Sequence, residues 1–445
     1  MELTKEFYEA AEKSFDSDRA NTVAMNAVMN NGLKKSATVA QTAWDLPHTY
    51  SISLKQGDIT AQKQSGRCWM FAALNVMRYD IIHSLNLKTF ELSQSYPLFY
   101  DKLEKSNYFL ESILQTLDEP TNGRLISYLL QSPVGDGGQW DMFANLVRKY
   151  GVVPKDAMPE SVPSSSTRDL CSVLTEKLRT YACQLRTAHA KGASMEELQS
   201  KKAEMMDEVY RILTICLGKP PKTFDFAVRD KDDNYITEKQ ITPLEFFDKY
   251  VGWNLDDYVS LINAPTADKP YHRSYSVKFL GNVVEGKMVR YLNLPADMLK
   301  EAAIAQLKDG RPVWFGCDVG KCSSREGGLM DLDAYDLESL LNVDFPMTKA
   351  ERLDYGHSQM THAMVFQGVD LDENDKPVRW RVENSWGKDA GKDGYYVMSD
   401  DWFTEYNYQV LVNKKYLPAE CIAEYEAEPI MLEPWDPMGS LAQMQ

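Results

Sequence analysis

The sequence predicts an α+β fold in which a helical half and a strand-rich half follow one another along the chain. Three observations carry this. From Cys68 onward, Met70, Leu74, Met77 and Ile81 recur at helical spacing, so Cys68 opens a buried helix. Residues 168–217 are strongly helical: Leu170, Leu174, Leu178, Tyr181 and Leu185 share one face, and Gly192-Ala193 breaks the pattern. Ser194 with Glu197 then forms a capping-box start for a second helix. Beyond about residue 275 the pattern turns to strands: 291–294, a helix over 296–309, 312–319, and two alternating strands around His362 and Asn384.

In order along the chain, residues 1–60 read as an arm. An amphipathic helix with Leu3, Phe7 and Ala10 on one face leads to a short strand over 49–54. Residues 61–160 form the helical lobe that begins with Cys68. The Pro/Ser-rich loop 161–166 marks a module boundary, and 161–270 reads as a mainly helical insertion. The strand-rich lobe covers 271–423, and 424–445 reads as a Pro-rich, irregular, extended tail. No internal repeat or low-complexity tract interrupts these segments.

The 445 residues suffice for two or three domains, and 44% hydrophobic with 26% charged residues is an ordinary globular composition. The net charge of −16 repels phosphate backbones and anionic lipid, so neither nucleic acid nor membrane is an expected partner. No apolar run approaches the roughly 20 residues of a membrane helix. The acidic start Met1-Glu2-Leu3-Thr4-Lys5-Glu6-Phe7 lacks the apolar core of a signal peptide. Seven scattered cysteines (68, 171, 183, 216, 317, 322 and 421) argue for reduced thiols, hence a cytoplasmic location.

The most informative segment is Gln62-Lys63-Gln64-Ser65-Gly66-Arg67-Cys68-Trp69. A thiol at a helix N-terminus lies in the positive end of the macrodipole, which lowers its pKa and favours thiolate. A thiolate nucleophile needs a base, and the chain has six histidines. His362, in Met360-Thr361-His362-Ala363-Met364-Val365-Phe366, shares a strand face with Met364 and Phe366 and points inward. In the next strand Val378, Trp380, Val382 and Asn384 alternate with Arg379, Arg381 and Glu383. Asn384 therefore extends an apolar face, where its amide must find a partner. A side-chain carbonyl bonded to an imidazole N–H sets the ring's tautomer and aim, as the third member of a triad does.

Gln62 to Trp69, Thr361-His362-Ala363 and Asn384-Ser385-Trp386-Gly387 resemble the three signatures of papain-like cysteine peptidases. Ser65-Gly66-Arg67-Cys68-Trp69 and the ending Trp435-Asp436-Pro437-Met438-Gly439 are most similar to the bleomycin hydrolase and aminopeptidase C branch. The resemblance implies a papain-like, two-lobed core with a helical insertion and a C-terminal tail lying in the cleft. It implies Cys68 as nucleophile, His362 as base, Asn384 as its orienter and Gln62 as an oxyanion donor beside the Cys68 backbone N–H. It places Gly137, Gly138, Trp386 and Ala442 on the substrate side, although a plain turn explains the glycines of Gly135-Asp136-Gly137-Gly138 equally well on local grounds. In that branch the tail's carboxylate receives the substrate α-ammonium, and the assembly is a homohexameric ring. The expected activity is a cysteine aminopeptidase acting on peptides, with no metal and no organic cofactor. An endopeptidase of the same branch and a non-enzymatic scaffold on the same fold are the alternatives.

The chain departs from the secreted pattern in two places. Ser65 stands where secreted relatives carry a disulfide cysteine, which suits a reducing compartment, and the long interval from Cys68 to His362 is what the insertion produces. The Leu441-Ala442 pair is followed by Gln443, Met444 and Gln445, so a tail of this kind is expected to be trimmed near Ala442. Two Asp-rich segments, at 230–234 and 370–374, begin like calcium loops but lack the later ligands and read as hairpin turns. Cys317 and Cys322 lack the second pair that a zinc site needs.

Overall fold

A computed structural model describes residues 1–443; Met444 and Gln445 lie outside the described residues. The helix Cys68–Ser84 is apolar on nearly every side and is buried over its first eleven residues. A helix of that composition must be enclosed. One side packs against the strand His362–Leu371 and another against the helix Trp140–Tyr150. It therefore sits at the junction between the helical and strand-rich halves.

Helices Ser95–Gln115, Arg168–Ala190 and Met195–Leu217 pack on one another to complete the helical side. The capping box expected at Ser194 and Glu197 is present. The stretch 161–270 holds more than helices, however. A hairpin, Phe224–Arg229 with Tyr235–Ile241, follows the helix pair, and Tyr258–Ile262 joins the main sheet. The run Tyr258 to Ala264 is bounded by charged loops and is buried throughout as a central strand, a role that its short length did not reveal.

Among the described residues the main sheet has 12 strands. At its centre Asn407–Asn413, Val313–Cys317, His362–Leu371, Pro377–Glu383 and Tyr395–Ser399 lie side by side, each antiparallel to the next. The register sets His362 opposite Cys317, and Val365 opposite Glu383. One face of this sheet packs on the Cys68 helix through Trp314, Ala363 and Val365, while Phe315, Met364 and Phe366 belong to a second core behind it. Burial on both faces explains why His362–Leu371 is buried over its first eight residues instead of alternating.

Three expectations change. The strand over 49–54 is only Ile52–Ser53, paired to the edge of His362–Leu371. The arm helices Lys5–Asp16 and Arg19–Asn31 bury no residue, so Leu3 and Phe7 remain exposed. The C-terminal segment is not irregular, and it is extended only in part. Ile430–Leu432 adds a parallel strand beside Arg273–Val277, and Pro437–Gln443 coils into a 3-10 helix. Both Asp-rich segments are turns, in which Asp230 and Asp372 accept backbone N–H groups two and four residues on.

Candidate active site

The loop before Cys68 is tied down at every step. Gln62 Nε2 donates to the Ser65 carbonyl at 2.6 Å, and the Ser65 hydroxyl donates back to the Gln62 carbonyl at 2.7 Å. The Gly66 N–H donates to Asp136 Oδ2 at 2.8 Å, and Arg67 forms a bidentate pair with Glu160 at 3.1 and 3.0 Å. Where a secreted relative would have a disulfide, Ser65 and the Gly66–Asp136 bond hold the loop instead. Burial alone would raise the Asp136 pKa, yet Lys102 at 2.6 Å, Thr167 and Gly66 hold it well below the usual carboxylate range.

Cys68 stands at the helix N-terminus as expected and is 3% exposed. Its environment differs from the one expected of a thiol under a helix dipole. Burial pushes the thiol up to about 11, against the backbone N–H groups of Ala363 and Trp69 that face the sulfur and favour its thiolate. The Ala363 contact brings the sulfur to the start of the His362 strand. Burial likewise pushes His362 down to about 4, opposed by its bond to Asn384. Burial thus works against the charged form of both groups.

His362 Nε2 and Asn384 Oδ1 are 2.9 Å apart, and Oδ1 also accepts the Ser385 N–H at 2.8 Å. The backbone donor identifies Oδ1 as the oxygen, so Nε2 carries the ring proton and Nδ1 is the basic nitrogen. The Trp386 ring lies 4.9 Å from the imidazole at a 36° tilt, and Arg325 stacks on it at 5.1 Å. Trp386 thus covers the His362–Asn384 pair. The Ser385 hydroxyl donates to Gln62 Oε1 at 2.7 Å, which orients the amide group of Gln62.

The paired glycines have separate surroundings. A Cβ on Gly138 would sit 2.5 Å from the Trp69 ring, and one on Gly137 would sit 1.9 Å from the Leu441 carbonyl oxygen. Gly137 therefore admits the tail. Tyr291 donates to the Met438 carbonyl at 3.1 Å, and Ser440 donates to the Met360 carbonyl at 2.8 Å. Met438 and Leu441 are fully buried and Ala442 is 8% exposed. The tail runs between the loop that ends at Gly138 and the lead-in to His362.

One residue has a different environment from the one its strand pattern suggests. Glu383 alternates with the arginines, yet it is buried, with Arg78 at 2.8 Å, Asn75 at 2.9 Å and Gln367 on its other oxygen. The sheet is covered on the face that alternation assigned to solvent. Arg78, in the apolar run of a buried helix, is the one sequence signal for a buried acidic partner.

The sequence profile of the Peptidase C1-like family matches residues 2–439. The chain belongs to that family. It is 51% identical over 440 residues to Aminopeptidase C of Streptococcus thermophilus, covering 99% of each chain. It is 43% identical over 450 residues to Bleomycin hydrolase of Mus musculus, again covering 99% of each. The crystal structure of pepw from Lactobacillus rhamnosis, 51% identical, superposes with a TM-score of 0.97 over 98% of this chain and 99% of that one. As in other members of the family, the core is papain-like: helices on one side of a cleft and the sheet on the other. No described helix is long and apolar enough to cross a membrane.

Proposed function

We propose that this Peptidase C1-like protein is a cysteine aminopeptidase that removes N-terminal residues from peptides. The observation that carries the proposal is the tail lodged against Gly137 and Met360, between the loop beside Cys68 and the strand of His362. A cleft open at both ends suits an endopeptidase. A cleft filled on one side favours cleavage near a chain end. The relative named Aminopeptidase C supports the same reading.

In the proposed reaction His362 Nδ1 takes the Cys68 proton and the thiolate attacks the substrate carbonyl. The acyl-enzyme forms as the imidazolium protonates the leaving amine, and water then releases the residue. Burial of both groups opposes charge separation between sulfur and imidazole, and the backbone N–H groups of Ala363 and Trp69 favour the thiolate against it. The oxyanion is received by the Cys68 N–H at the helix start and by the second N–H of Gln62, the first being bonded to Ser65. Asn384 orients the base, Gly137 and Gly138 line the path of the substrate backbone, and Ala442 faces the substrate N-terminus.

We further place the protein in the cytoplasm as a homohexamer. The seven cysteines are all unpaired, which suits a reducing compartment. The arm exposes Phe7 at 44%, Tyr8 at 59% and Trp44 at 74%, apolar surface that another copy would cover. Light scattering on the purified protein tests the assembly. The activity is tested with matched free and N-acetylated peptides, using Cys68→Ala as control. Cleavage of the free peptide alone is expected, and equal cleavage of both would favour an endopeptidase.

A further inference from the structure

Asn75 lies two turns along the Cys68 helix and is 2% exposed. Its Nδ2 donates to two oxygens, Glu383 Oε1 at 2.9 Å and the Thr60 hydroxyl at 3.0 Å. Each acceptor controls one end of the same short segment. Glu383 immediately precedes Asn384. The Thr60 carbonyl accepts the Gly387 N–H at 3.1 Å, one residue beyond Trp386. Thr60 also begins the strand-like run to Gln62, whose N–H donates to the Ser385 carbonyl at 2.8 Å. A single amide thus holds segment 383–387 at both ends, together with the backbone of Gln62, against the helix that starts with Cys68.

Charge reinforces the arrangement. The Glu383 oxygen that accepts from Asn75 also accepts from Arg78 at 2.8 Å, and Arg78 lies on the same helix. Gln367, on the His362 strand, donates to the other oxygen. The carboxylate beside Asn384 is therefore fixed from the Cys68 helix and from the His362 strand together. Apolar side chains could fill this volume, but only directional bonds set the height of strand over helix to a fraction of an ångström.

We propose that Asn75 is a positioning residue: it sets the spacing between the Cys68 helix and the Asn384–Trp386 segment, and so the aim of His362 at the sulfur. The proposal rests on the peptidase reading above. A misplacement of about 1 Å can lower turnover roughly a hundredfold. Losing one shared amide is a smaller disturbance, and Asn75→Ala is expected to lower kcat about tenfold, leaving KM within about twofold.

A double-mutant cycle separates positioning from support of the fold. In the Asn384→Ala background the same Asn75→Ala change should lower kcat by less than about twofold, because the group being positioned is gone. Equal losses in both backgrounds would overturn the proposal. Thr60→Val, nearly isosteric, removes one of the two bonds and covers the case in which Asn75→Ala does not fold. A threefold fall in kcat at unchanged melting temperature is expected there, and wild-type kcat would refute the proposal. Should the wild-type protein show no turnover, the peptidase reading fails on its own. The pH profile of Cys68 alkylation then still reports alignment: it should move in Asn75→Ala, and an unmoved profile counts against Asn75.

Discussion

Gly137→Ala is the sharpest perturbation available to the tail. The added Cβ would lie 1.9 Å from the Leu441 carbonyl oxygen and 3.2 Å from the Ala442 carbonyl carbon. An ordinary non-bonded separation is about 3.5 Å, so the 441–442 peptide must retreat by roughly 1.5 Å. Both obstructing groups are backbone, which has no rotamer to change. Overpacking of this kind costs about 1–3 kcal/mol. Against it stand the buried side chains of Met438 and Leu441, at about 1.5–3 kcal/mol each. The bonds from Tyr291 and Ser440 add about 0.5–1.5 kcal/mol apiece. The tail therefore stays docked through Met438 while its end shifts. A cost of 1–3 kcal/mol corresponds to a change of about 5- to 150-fold in an equilibrium, so the free-to-acetylated ratio of kcat/KM should fall about tenfold or more. The ratio is the quantity to measure, because any direct loss of substrate contact at Gly137 reduces both substrates together. If both rates fall equally and the ratio holds, the end of the tail does not enforce N-terminal selection.

Cys68→Ala should abolish turnover while preserving the fold, and on incubation its intact mass should remain full length while the wild-type mass falls to that of a chain ending near Ala442. Gln443, the first residue after Ala442, continues a 3-10 helix, which advances only about 2.0 Å per residue. Gln62→Ala should lower the acylation rate by roughly 10²–10³, and Asn384→Ala should be milder than His362→Ala; stopped-flow acylation with a chromogenic ester checks both. Acid stability follows from His362, whose pKa is lowered on folding from 6.5 to about 4. The unfolded imidazole therefore binds its proton first, and stability present above pH 6.5 is lost as pH falls towards 4. At about 1.4 kcal/mol per tenfold change the loss approaches roughly 3 kcal/mol. Urea midpoints in the Cys68→Ala background should show this slope, and His362→Gln should remove it.

Residues close together in sequence were legible from pattern alone. The helical spacing after Cys68, the capping box at Ser194 and the turns at Asp230 and Asp372 all depend on neighbours within one or two turns of chain. So does the inward face of Asn384, which the alternation of its strand discloses. The resemblance of short motifs, themselves local, supplied the family and the cleft.

Tertiary structure decided whatever depends on what covers a surface. Glu383 has the same alternation as its arginine neighbours, and only the Cys68 helix lying across the sheet makes it a buried carboxylate. The dipole at the helix start speaks for a thiolate, but the desolvation that pushes Cys68 up to about 11 is set by the tertiary packing that buries it beside the Ala363 strand. The tail reads as irregular because its order comes from partners far away in sequence: Gly137, Tyr291 and Met360. Periodicity registers bonds to near neighbours along the chain, whereas burial of a charge and docking of a segment are set by long-range contacts that leave no period in the sequence.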